Sequence, residues 1–234
     1  MESYKELALL IPPVLALLII LYLKFKMPGG KFGLVYKAFL YGMISIVLVI
    51  GVQLLANEFG LDKLRNIRRI AFYAVVILGL FSEVGKYFFL RMFCYPSDRF
   101  NTPVDGIIYS VMIAMGFATM NSVFYFVDIP NVKVNLFNAA TAGPANLVFG
   151  LVMGFFVGMG KMRSMRFIDN MTGLLAAIFF HSLYSFILIT RDYQLMTAFF
   201  AGAAIIAFSL VLAALRMQIE AKKMEKKEIT EAEK

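Results

Sequence analysis

The segment Phe81-Ser82-Glu83-Val84-Gly85-Lys86-Tyr87 sets a carboxylate and an ammonium three residues apart inside a long apolar run. On a helix, positions i and i+3 are neighbours, so Glu83 and Lys86 can touch, and Ser82 lies on roughly the same side. A charge at bilayer depth costs about 2.5–3.5 kcal/mol on insertion scales. The pair is therefore either a neutralised packing device or part of a functional site facing the bundle interior. A glutamate in that setting can act as general base or acid once its surroundings tune its proton affinity.

Three other apolar runs carry polar groups. In the fourth, Thr102-Pro103-Val104-Asp105-Gly106 reads as an N-cap, a first-turn proline and a capping-box acid. Asp105 is also a candidate support for a polar pocket. Further along, Gly116-Phe117-Ala118-Thr119-Met120-Asn121 ends in an amide that must hydrogen-bond a neighbouring helix. In the fifth run Asn146, Gly150, Gly154 and Gly158 recur at steps of four. That is a stripe of small residues for close helix contact, with Asn146 at its head. The sixth run holds His181 and, one turn on along the same face, Ser185. Aligned by depth, Glu83, Asn121, Asn146 and His181 fall in the same half of the bilayer, which predicts one shared polar cavity.

The elements that must position these groups are membrane spans. The chain has 234 residues, 61% of them hydrophobic, with mean hydropathy +0.78; a soluble domain is about 45–50% apolar. Apolar runs cover residues 7–23, 35–56, 70–94, 105–127, 141–160, 171–189 and 195–215, and a span needs about 20 residues. The expectation is an all-α polytopic bundle of about seven transmembrane helices over residues 1–215, with a charged tail at 216–234. The first run lacks a small-residue cleavage site and reads as a retained span, bent at Pro12-Pro13. Of 23 Lys and Arg residues, 15 fall on the side of the C-terminus and 7 on the other, with Lys86 inside a span. The positive-inside rule then puts the N-terminus outside and the tail in the cytoplasm, as an interrupted charged helix extending the last span. Lys63 to Arg69, with Glu58 and Asp62, reads as a short interfacial helix on the outer side.

The net charge of +8 follows this asymmetry and needs no nucleic acid to explain it. Cys94 is the only cysteine and His181 the only histidine, so no intrachain disulfide forms and no conventional zinc site is expected. His-Glu-x-x-His, rhomboid-type Gly-x-Ser-Gly, an intramembrane aspartate pair, and Walker or Rossmann glycine patterns are all missing, and no cofactor is implied.

Taken in order over residues 70–190, the segments resemble the PrsW family of intramembrane proteases, which is related to the CAAX-prenyl-protease clan of glutamic membrane proteases. The family's Glu-Glu-x-x-Lys is here Ser82-Glu83-Val84-Gly85-Lys86. Its Asp-Gly start and Gly-Phe-Ala-x-x-Glu-Asn end are matched by Asp105-Gly106 and by Gly116 to Asn121. Its Pro-x-His with Phe-Gly is here Pro144-Ala145-Asn146 with Phe149-Gly150, and its His-x-x-Tyr is His181-Ser182-Leu183-Tyr184. In this reading Ser82 and Met120 stand for glutamates and Asn146 for a histidine.

The resemblance implies a single-span membrane protein as client, such as a membrane-anchored anti-sigma factor, and residence in a bacterial cytoplasmic membrane among lipid. It implies Glu83 and His181 as the catalytic candidates, with Lys86, Asn121, Asp105 and Ser185 as support. The thinned motif gives a protein that binds client helices with weak or lost proteolysis. The alternatives are an active glutamic-type protease using Glu83 and His181, and a small-solute or ion carrier.

Overall fold

The computed structural model describes residues 2–26, 32–127 and 136–232. Its helices are α1 (Glu2–Lys26), α2 (Gly33–Glu58), α3 (Ile67–Phe72), α4 (Phe81–Phe89), α5 (Pro103–Val127), α6 (Leu136–Met162), α7 (Arg166–Thr190) and α8 (Tyr193–Ala232). Among the described residues, six helices are long and apolar enough to cross a membrane: α1, α2, α5, α6, α7 and α8. The third apolar run is also helical throughout, but not as one α-helix. A π-helical stretch, Tyr73–Leu80, joins α3 to α4, and a second, Leu90–Cys94, follows α4. With these turns counted, the run forms a further helical segment, from Ile67 to Cys94, in an all-α polytopic bundle.

The centre is α5 against α6, and the glycine stripe explains why. A Cβ built on Gly154 would lie 2.7 Å from the Cα of Ile107, and one on Gly158 would lie 2.6 Å from the Cα of Pro103. Gly106 and Gly154 each meet the other's backbone carbonyl. Only residues without a side chain allow two backbones to approach this closely. α6 is consequently buried along most of its length, whereas Leu17, Leu21, Val47, Leu55, Phe179, Ile205 and Phe208 are exposed on the outer helices. An apolar exterior around a core holding ions is the arrangement a lipid solvent selects.

Several local expectations are met or corrected. Thr102 and Asp105 form a reciprocal capping box: Asp105 N donates to Thr102 Oγ1 at 3.2 Å, and Thr102 N donates to Asp105 Oδ2 at 2.9 Å. Pro12 and Pro13 lie within α1, which continues past them as one helix. The basic segment is not a separate interfacial helix. Asp62 sits in a turn, Asn66 caps α3 by accepting from Arg69 N at 3.0 Å, and Arg68 and Arg69 open the third run itself. The tail is not interrupted either, because α8 is a single helix of 40 residues through Ala232. Its Lys- and Glu-rich end has good helix formers and no Pro or Gly to stop it.

Candidate functional site

Glu83 is the hub. It is completely buried on α4, and its Oε1 accepts from two donors. Lys86 Nζ lies 2.5 Å away on the same helix, and His181 Nδ1 lies 2.6 Å away on α7. A carboxylate offers only acceptors, so Nδ1 carries the imidazole proton and Nε2 is left as the basic nitrogen. Lys86 Nζ also donates to Asn146 Oδ1 on α6 at 2.8 Å, while Asn146 Nδ2 donates to Ala142 O at 2.9 Å. The ammonium stands over the rings of Phe117 and Phe149, 4.8 and 5.5 Å from their centroids. Phe149 stacks on His181 with centroids 4.8 Å apart and planes at 21°. Three spans are thus tied together by one ion-centred network, and two aromatic faces keep lipid from it. Glu83 Oε2 is buried with no hydrogen-bond partner in this structure.

A cavity of about 380 Å³ lies against this network, enclosed by α2, α5, α6, α7 and the third run. Ser82, Asn121, Asn146, His181 and Ser185 line it. Glu83 is not on the wall; it is bonded to His181, which is, and to Lys86. Of the four residues expected to share a pocket, Asn121, Asn146 and His181 line it, and Glu83 does not.

Two candidate positions fall elsewhere. Asp105 begins α5, sixteen residues before Asn121 and so about 24 Å along the helix axis; it caps α5 and does not support the pocket. Met120 packs against the cluster of Ile46, Val49 and Phe117, off the cavity wall. The spacing Gly-Phe-Ala-x-x-Glu-Asn, counted from Gly116, sets the acidic position on Asn121 and the amide position on Ser122. The assignment of Met120 to the acidic position is corrected accordingly. Ser122 is fully buried, and its Oγ has no partner in this structure.

Some wall residues were missed in the sequence. Gln53 on α2 and Asn138 on α6 line the same cavity, and each is an amide in or beside an apolar run, the signal that singled out Asn121. Tyr184 also lines it, and its hydroxyl lies 2.7 Å from Thr141 Oγ1. Because that Oγ1 donates to Phe137 O, the Tyr184 hydroxyl donates to Thr141.

A sequence model described as PrsW family intramembrane metalloprotease matches residues 30–216. The chain belongs to the PrsW family of intramembrane proteases. It is 31% identical over 182 residues to the protease PrsW of Halalkalibacterium halodurans, covering 76% of this chain and 81% of that one. It is 27% identical to the protease PrsW of Geobacillus kaustophilus over 78% of this chain and 79% of the relative. With the protein of the same name from Bacillus subtilis the identity is 26% over 66% of this chain and 68% of the relative. No solved structure matches. With its apolar spans, this membership makes the chain an integral membrane protein.

The family description implies a metal ion, and the residues at this chain's site do not fit one. Among the described residues, no three His, Cys, Asp or Glu side chains are grouped to hold a metal ion. Of the motif positions that carry Glu or His in the PrsW pattern, only Glu83 and His181 keep a usual ligand. The accepting oxygen of Glu83 already faces an ammonium, whose charge would oppose a second cation.

Proposed function

We propose that this PrsW-family chain binds a single transmembrane helix of a membrane-anchored client at the cavity, with peptide-bond hydrolysis weak or lost. The observation that carries this reading is the composition of the cavity wall. Where the family pattern has Glu, Glu and His, the wall presents Ser82, Asn121 and Asn146. Hydrolysing an amide needs a base for the water and a donor for the developing oxyanion. Serine and the two amides supply donors but no base. The remaining carboxylate, Glu83, is not on the wall and is held by two donors.

One observation favours a second reading. Glu83 orients His181 as a carboxylate orients the histidine of a hydrolytic dyad, leaving Nε2 basic on a residue that lines the cavity. In that role Nε2 takes a proton from water as the oxygen adds to the peptide carbonyl, and then returns it to the departing amine. The Asn121 amide can donate to the oxyanion. The base is then His181 and Glu83 is its positioning residue.

The orientation we propose is N-terminus outside and C-terminus inside, in a bacterial cytoplasmic membrane. The distribution of Lys and Arg supports it. A membrane-anchored regulator of the anti-sigma type fits as client.

The test is a single-span peptide carrying a photocrosslinker at mid-membrane, reconstituted with the protein and read by mass spectrometry. The expected result is crosslinking to residues of α5 or α7 beside the cavity, with the peptide intact. Efficient cleavage that Glu83→Gln abolishes would replace this reading with the active dyad.

A further inference from the structure

The cavity runs from His181 to the connections after α2 and after α7, where Asp62 and Arg191 form part of its wall. This end is the outer one in the proposed orientation. Asp62 lies in the turn following α2, and its Oδ1 is buried without a hydrogen-bond partner in this structure. The oxygen belongs to a residue of the cavity wall, where a donor brought by a ligand can satisfy it.

The chain has cations close by in sequence and does not use them on this acid. Lys63, Arg65, Arg68 and Arg69 all follow within seven residues, and none of them lines the cavity. The Arg69 guanidinium donates to Gly60 O at 3.3 Å and Lys63 O at 3.4 Å. Arg191 shares the wall, on the opposite connection, in a left-handed backbone conformation with φ 58°. Among the described residues no ion pair joins Asp62 to a cation of this chain.

We propose that Asp62 is a selectivity residue that receives a lysine or arginine flanking the client span on the outer side. The inference rests on the reading of the cavity as a client site. Lys and Arg are scarce on the outer flanks of bacterial spans, so a carboxylate there separates a minority of membrane proteins from the rest. Arg191 adds direction, because a client cation is repelled from its side of the mouth and drawn to the side of Asp62. The neighbouring basic residues set the opposite expectation if they, rather than Asp62, govern docking, since they would favour an acidic flank.

The experiment uses one transmembrane peptide in three forms, with Lys, Gln or Glu as the first residue beyond the outer end of its span. Binding to the full-length protein is measured in nanodiscs of zwitterionic lipid. The Lys form should bind about tenfold more tightly than the Gln form, the size of one well-placed charge pair. Asp62→Asn should level the series, and Asp62→Lys should reverse it in favour of Glu. The reversal is a gain that a misfolded variant cannot produce. Equal binding of all three peptides to the native protein, tightest binding of the Glu form, or a Lys preference that survives Asp62→Asn overturns the inference while leaving the client site standing. Failure of every peptide to bind the native protein removes the client-site reading and this inference with it.

Discussion

Glu83 and His181 are 98 residues apart in the chain and 2.6 Å apart in the fold, joined through Oε1 and Nδ1. The same oxygen holds Lys86. Both partners are almost wholly buried, so the carboxylate settles the tautomer of the one and the charge of the other in a place that water does not screen.

That relationship makes Glu83 a structural element as well as a candidate for chemistry. Glu83→Gln leaves the Lys86 ammonium buried against two rings and an amide. Removing one member of a buried pair costs about 3–5 kcal/mol. The double change Glu83→Gln with Lys86→Met removes both charges and should recover a large part of that loss. Denaturation in mixed micelles reads both variants, and native-like stability of Glu83→Gln alone would dismiss the ion pair as a structural tie.

The α5–α6 seam gives a second expectation, with a built-in control. Gly154→Ala drives a methyl into the backbone of Gly106 and Ile107, which are main-chain atoms that cannot turn aside. Overpacking of this kind costs about 1–3 kcal/mol. Gly202 on α8 has no atom within 4 Å of an added Cβ. Gly202→Ala should be neutral or stabilising by up to about 1 kcal/mol, because alanine favours helix over glycine. Gly154→Ala should therefore lower the unfolding midpoint, and Gly202→Ala should not.

Much of this site was legible in the sequence because lipid penalises polar side chains. Glu83, Asn146 and His181 stand out against apolar runs, and their convergence follows from comparing depths. The aromatic shelter of Lys86 was not legible. Phe117 and Phe149 are two of 24 phenylalanines, and only the packing distinguishes them. The π-helical turns on either side of α4 were also hidden, since no residue type encodes an i→i+5 pattern and tertiary packing selects it. The Met120 assignment failed for a simple geometric reason. One residue of frame error rotates a helical position by about 100°, which is enough to exchange the cavity wall at Asn121 for the α2 contact at Met120.

Topology can be checked without purification. The connection after α2 and the end of α8 should lie on opposite sides of the membrane, with Lys63 to Arg69 outside and Arg216 to Lys234 inside. Paired reporters, one active only in the cytoplasm and one only outside it, fused after Lys234 and inserted after Lys63, read this directly. The same signal from both positions would refute the orientation and with it the outer placement of Asp62.

The final expectation separates impaired from active catalysis. If the substitutions on the cavity wall have weakened hydrolysis, restoring the family residues at their true positions should raise it. The changes are Ser82→Glu, Asn121→Glu and Asn146→His, made together. Residues that act as a unit are strongly non-additive, so single restorations can leave the rate where it was. Met120→Glu is the informative control. It adds a carboxylate one position from Asn121, at a residue that does not itself line the cavity and packs on the apolar side chains of Ile46, Val49 and Phe117. It should therefore lower stability and bring no activity. Asn146→His alone also disturbs the amide that accepts from Lys86, so stability must be followed beside turnover. Cleavage of a fluorescent transmembrane peptide, with fragments weighed by mass spectrometry, gives the rate for each variant. Higher turnover in the triple variant, with none from Met120→Glu, is the expected pattern. A native rate that the triple variant fails to exceed, and that His181→Ala removes, would establish the Glu83–His181 dyad as sufficient and reject the weakened-enzyme reading.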